Sequence, residues 1–211
     1  MKIKNLFLCL FFLYVINAFC QTQDYNFKNI DVSDGLSQNS VIDIHQDQKG
    51  QMWFGTLDGL NVFNGHDFKV FKNVYNDSTS LSNNNIRCLE ADSEGNIWVG
   101  TNIGLNKFDP RNNKFTQYFH SSIHQSLIGN LVRCIKEIGD EIWVGTASGI
   151  SILDKKSGVF RSVIHSNEDE NSLSADYVRQ IIQGRNGTIW VATNYGLNQL
   201  VSRDANKFVF E

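Results

Sequence analysis

Four stretches of this chain say almost the same thing: WFGTLDGL at 53–60, WVGTNIGL at 98–105, WVGTASGI at 143–150 and WVATNYGL at 190–197. Their tryptophans, Trp53, Trp98, Trp143 and Trp190, are 45, 45 and 47 residues apart. The agreement extends outward. Upstream of each, a leucine in a Ser- and Asn-rich turn (Leu36, Leu81, Leu127, Leu173) leads into SVIDIHQD, NIRCLEAD, LVRCIKEI or YVRQIIQG. Downstream come the aromatic-bearing segments FKVF, FTQYF, FRSVI and FVF. Self-similarity at this period marks a repeat architecture in which each unit is one supersecondary element.

Each unit reads as four short strands, in the first at about 40–46, 51–56, 59–64 and 67–72. The segments alternate with period two and are punctuated every few residues by Gly, Asn or Asp, which excludes two-helix repeats of similar length. Asp47-Gln-Lys-Gly50 and Asp92-Ser-Glu-Gly95 read as the first hairpin loops. The third unit is one residue shorter between Cys134 and Trp143, and the deletion falls in that exposed turn. In the second strand Trp and Gly share one side, and Val99 or Phe54 with the Thr share the other. A glycine beside an indole predicts a gap through which a neighbouring sheet comes close. The motif residues expected to build the blades are Trp53, Gly55, Thr56 and Gly59; Trp98, Gly100, Thr101 and Gly104; Trp143, Gly145, Thr146 and Gly149; and Trp190, Thr193 and Gly196. The glycines before the Leu fit a tight turn that needs positive φ. The fold predicted is all-β, a β-propeller of four blades with four antiparallel strands each. The units run at about 34–73, 79–120, 125–165 and 171–211.

The segment Tyr25–Ile30 is similar to a fourth strand, such as 68–72, and is the candidate ring-closing strand. The fourth unit already has its own, at 206–210, so there is one outer strand too many for a closed four-blade ring. The chain is therefore expected to be the start of a larger, incomplete ring.

Residues 1–20 read as a signal peptide. Lys2 and Lys4 precede an apolar run of eleven residues, Leu6–Ile16, too short to span a bilayer, and Ala18-Phe19-Cys20 suits a cut before Gln21. Lipidation of Cys20 would call for a small residue where Phe19 stands. No later run reaches membrane-spanning length, so the mature chain is expected to be exported and periplasmic, with no membrane span. The formal charge of −3 argues against nucleic acid. Cys88 and Cys134, at equivalent points of two units, read as small buried hydrophobes rather than a disulfide.

The phrase DGLSQNSVIDIHQDQKGQMWFGTLDGLNVFNGHDFKVF, Asp34 to Phe71, resembles the two-component regulator propeller repeats of hybrid sensor histidine kinases. The likeness runs from about Tyr25 through all four units. Departures are Ala192 for the Gly, Ile150 for the Leu, and Gly184 where Asp would stand. The resemblance implies two seven-bladed propellers outside the inner membrane, then a β-sandwich stalk, a membrane helix, a histidine kinase and often a response regulator with a DNA-binding module. It implies detection of oligosaccharides released from complex glycans and control of genes for their use. The partners implied are an oligosaccharide, the further blades, stalk and kinase parts of a longer parent, and a second copy in a homodimer. Kinase chemistry would belong to that parent, and this chain is expected to be no enzyme.

Other chemistry is thinly supported. His120 and His124 have the i, i+4 spacing of a helical metal pair but sit in a Ser-rich loop without a third ligand. Asp47 and Asp92 read as turn residues, and no pair of convergent carboxylates suggests a glycosidase. Ser148 is misplaced for a nucleophile elbow. No catalytic residue, metal site or cofactor is expected. The candidate ligand-binding residues are Tyr195, Asn194 and Asn102, in the loops between second and third strands. Tyr195 breaks the repeat, its counterparts being Asp58, Ile103 and Ser148. The rival readings are a non-signalling interaction propeller or truncated sensor, and a secreted propeller glycosidase or lyase.

Overall fold

The computed structural model describes residues 25–122, 125–204 and 207–211. The signal-peptide reading at 1–20 and His124 lie outside the described residues. The chain divides into two units after Ile30. In the first, residues 25–30 carry no strand. The second, Asp31–Glu211, holds every strand of the described residues.

Those strands form four antiparallel sheets, one per repeat, each in simple up-and-down order. The first blade comprises β1 (Val41–Gln46), β2 (Met52–Thr56), β3 (Gly59–Phe63) and β4 (Phe68–Phe71). The second has β5 (Ile86–Ala91), β6 (Ile97–Thr101), β7 (Leu105–Asp109) and β8 (Lys114–Tyr118). The third has β9 (Val132–Ile138), β10 (Glu141–Thr146), β11 (Gly149–Asp154) and β12 (Phe160–Val163). The fourth has β13 (Val178–Gln183), β14 (Ile189–Thr193), β15 (Gly196–Arg203) and β16 (Phe208–Phe210). The first strands β1, β5, β9 and β13 neighbour one another in that order, so the blades radiate from a shared axis.

Apolar side chains bury between blades rather than within them, because a single sheet has two faces to cover. Trp53, Leu60 and Leu81 of the first interface pack with Ile86, Val99 and Phe108 of the second blade. Trp98 and Leu105 pack with Val132, Ile142 and Val144 of the third, and Trp143 and Ile150 with Val178, Ile181 and Val191 of the fourth. The period-two reading of the second strand holds: Trp98 faces the following blade while Val99 faces the preceding one. The expected gap at the glycine is also present. A Cβ on Gly100 would stand 2.5 Å from Val132 Cγ1 of the next blade, and one on Gly145 would stand 2.7 Å from Val178 Cγ1.

The recurrent threonine is a hub. Thr56, Thr101 and Thr146 each donate their hydroxyl to the carbonyl of the turn glycine three residues on, at 2.9–3.0 Å. Those glycines have φ of 124°, 100° and 123°, where a side chain is disfavoured. Thr56 and Thr101 also meet Ser37 and Ser82, whose backbone N–H groups donate to Asn61 and Asn106. The buried Asn of the Gly-Leu-Asn motif therefore ties the entry turn to the third strand in blades one, two and four, and Ser151 takes that place in the third.

Each hairpin aspartate holds an indole. Trp53 Nε1–H donates to Asp47 and Trp98 Nε1–H to Asp92, at 2.9 and 2.8 Å. The shorter third hairpin has no such aspartate, and Glu141 takes the Trp143 indole instead, at 3.0 Å. In the fourth blade Gly184 stands at the aspartate position, and among the described residues Trp190 has no carboxylate partner. Trp190 departs from the expectation of a core residue, being only half-buried while the other three are buried. No described strand packs on that face. Leu197 shows the same effect, 62 % exposed where its counterparts Leu60, Leu105 and Ile150 are fully buried.

Cys88 and Cys134 are both buried and free, as expected. No helix among the described residues is long and apolar enough to cross a membrane.

Candidate ligand-binding face

Every first strand carries a bulge at the same place. Val41 pairs with Thr56 but Asp43 pairs with Gly55, leaving Ile42 as the extra residue. By the same shift the extra residues are Arg87 in β5, Arg133 in β9 and Arg179 in β13. A bulge bends its strand and redirects one side chain. Here it does so for three arginines on neighbouring strands, each immediately before a residue that lines the axial groove (Cys88, Cys134, Gln180). That groove, about 420 Å³, runs along the first strands, with the polar residues Asp43, His45, Glu90 and Lys136 set among isoleucines and Leu89 on its wall. Lys136 bridges to Glu90 of the preceding blade at 2.6 Å.

The loops between second and third strands stand at the same end as the bulges. Asn102 accepts from Arg87 Nε at 2.6 Å, and Asn194 accepts from Arg179 Nε at 2.7 Å. Two of the three residues singled out from sequence are thus brought together with the bulge arginines and hold their side chains. The third blade has Ala147 at the equivalent position, and Arg133 Nε is buried with no hydrogen-bond partner. Tyr177 lies between blades three and four, with the guanidinium carbons of Arg133 and Arg179 at 5.4 and 5.6 Å from its ring centre. Tyr195, the third candidate, is 84 % exposed at its loop tip, and its backbone makes the same bond to Thr193 that Ile103 makes to Thr101. The structure does not bring its ring to the arginines.

The arginines are absent from the sequence-based candidates, although their signal was present: Arg at 87, 133 and 179 recurs at even spacing after a β-branched residue. A regular strand would have made it an ordinary alternating position. The bulge is what sets it apart.

His120 Nδ1 is engaged with the Leu127 carbonyl at 2.7 Å, as His165 Nδ1 is with that of Leu173 at 2.6 Å, so both act as loop clamps. Among the described residues no cluster of His, Cys, Asp or Glu could hold a metal. The hairpin aspartates serve their own turns and tryptophans.

The repeats themselves match a known family. The model of the two component regulator propeller matches residues 35–58, 80–102 and 172–195. These are two-component regulator propeller repeats. The third repeat, with its shortened hairpin, falls outside the matched segments. Histidine kinase P4 of Formosa agariphila is 64 % identical over 202 residues, covering 96 % of this chain and 15 % of that protein. The chain therefore spans about a seventh of the length of that curated relative. Among solved structures, the extracellular domains of two hybrid two-component systems of B. thetaiotaomicron are similar in fold. The first superposes with a TM-score of 0.65 at 26 % identity, over 88 % of this chain and 32 % of that one. The second gives 0.66 at 25 % identity, over 84 % and 26 %.

Proposed function

We propose that these blades are part of the periplasmic ligand-sensing propeller of a hybrid sensor histidine kinase. In this reading it responds to glycan-derived oligosaccharides and controls transcription through kinase parts that follow it. The observation that carries the reading is the likeness to a protein named a histidine kinase, of which this chain matches only a small share. The exposed face of the fourth blade supports it. Leu197 and Trp190 occupy interface positions, and a fifth blade would cover them as the second covers Leu60 and Trp53. In a ring of seven blades, residues 25–30 would add the outer strand of the last one. In this reading residues 1–20 are an export signal and the blades stand in the periplasm, where oligosaccharides would arrive.

The arrangement suits binding rather than turnover. Its loop face presents amides, arginines and an exposed tyrosine, and the carboxylates of the blades are committed to turns, indoles and ion pairs. Isothermal titration of the protein with oligosaccharides from plant, algal and host glycans tests the reading. Saturable binding of at least one, without its breakdown, is expected. Heat-silent titrations across the panel would overturn the carbohydrate assignment, and breakdown products would overturn the non-catalytic one.

A further inference from the structure

We infer that Arg87, Arg133 and Arg179 form an anion subsite, which takes a carboxylate or sulfate group of the ligand. The inference rests on the oligosaccharide reading and adds to it that the sugar is acidic.

Three neighbouring first strands each place one arginine at the same bulge, and among the described residues none of the three is ion-paired to a carboxylate. Elsewhere on the blades, Arg111, Arg161 and Arg203 each meet an acid. Gathering like charges without counter-charge costs free energy unless an anion completes the group.

Geometry adds to charge. Arg87 and Arg179 are held through Nε by the side-chain carbonyls of Asn102 and Asn194. A neutral amide fixes the direction of the guanidinium without neutralising it, which leaves the terminal N–H groups for a planar oxyanion. Tyr177 holds Arg133 and Arg179 over one ring, which further limits their rotamers.

The third observation is an unmet donor. Arg133 Nε is buried and has no partner, because Ala147 replaces the asparagine that serves its neighbours. A buried donor left unpaired is costly, and such exceptions are few in folded proteins. The blade that lacks the amide lies between the two that have it. An anion seated against the middle blade would accept from the terminal N–H groups of Arg133, with the arginines of the two neighbouring blades at the equivalent bulge positions on either side.

Two readouts test this with the full chain. In the first, the Arg133 Nε–H resonance, identified by its loss in Arg133→Gln, is followed during addition of three probes. These are galacturonic acid oligosaccharide, sulfated galactan oligosaccharide and desulfated galactan oligosaccharide. The acidic probes should shift it and the neutral one should not. A shift with only the sulfated probe assigns a sulfate site, and a shift with only the uronate assigns a carboxylate site. In the second, affinities are measured at two salt concentrations. Arg133→Gln should weaken the acidic probe by about tenfold or more, the loss of a charged hydrogen bond, and should flatten its salt dependence. Arg133→Lys should recover part of the affinity, and Lys49→Gln, at the opposite end of the first blade, should change nothing. Equal binding of neutral and acidic probes, with Arg133→Gln silent, would overturn the anion subsite and leave the oligosaccharide sensor standing. Galacturonic acid monosaccharide and sulfate ion are added separately as small anions, and a resonance shift with these alone, without binding of any oligosaccharide, would keep the anion subsite and overturn the oligosaccharide reading. No response of Arg133 to any anion would overturn the subsite outright.

Discussion

Gly100 of the second blade and Val132 of the third are in such close contact that a Cβ on the glycine would stand 2.5 Å from Val132 Cγ1 and 2.4 Å from Cys88 Sγ. The glycine of the Trp-x-Gly-Thr motif is thus set by the distance between blades. Its backbone φ is not the reason, since Gly100 is not among the positive-φ glycines. Replacing it with alanine should overpack the interface and cost about 1–3 kcal/mol. Chemical denaturation of Gly100→Ala should show a lower midpoint with an unchanged slope. An unchanged midpoint would mean that the blades can move apart freely.

Asp92 is a second point of failure. It is buried, accepts the Trp98 indole at 2.8 Å, and accepts from the backbone N–H groups of Glu94 and Asn96. Asp92→Ala leaves those donors without their partner and should cost about 2–4 kcal/mol. Asp92→Asn, which retains one acceptor oxygen, should cost less. The fourth blade sets the control: Gly184 already lacks the carboxylate, so Gly184→Ala should not unmake any indole bond.

The thiols give a pH prediction. Burial pushes Cys88 well above the usual thiol range and Cys134 up to about 12. A folded-state value above the unfolded one means that both contribute stability below the ordinary thiol pKa and lose it as pH rises toward 12. Stability should therefore be insensitive to these groups up to about pH 8, near the ordinary thiol value, and decline above it. In the double variant Cys88→Ala, Cys134→Ala that alkaline decline should be shallower. Both thiols should also resist alkylation in the native state and react on unfolding. Labelling at neutral pH without unfolding would contradict their burial.

Much of this was readable from residues because each repeat shows its core four times over. Trp, Gly and Thr in the second strand correspond to interface, close approach and turn hub, and the structure assigns them those roles. Two features were not readable. Glu141 takes the indole in the third blade because the shortened hairpin removes the aspartate, and no local pattern announces that the acid two residues before the Trp will substitute. The bulge arginines were hidden for a different reason. A period-two reading treats Arg87 as an ordinary strand residue, and only the register of β5 against β6 shows that it has been displaced from the ladder. Asn102 and Asn194 were legible as loop residues, whereas their hold on Arg87 and Arg179 depends on that displacement. Trp190 reads as core by analogy, and its half-exposure follows from a face on which no described strand packs.

The role proposed for this propeller is to sense a ligand for a kinase. It is tested most directly by autophosphorylation of the full-length protein in membrane vesicles, with oligosaccharides supplied on the propeller side. At least one oligosaccharide should change the rate of phosphorylation, and Arg133→Gln should shift the concentration needed for the acidic one. A rate that no oligosaccharide changes, in a protein that phosphorylates itself normally, would contradict it.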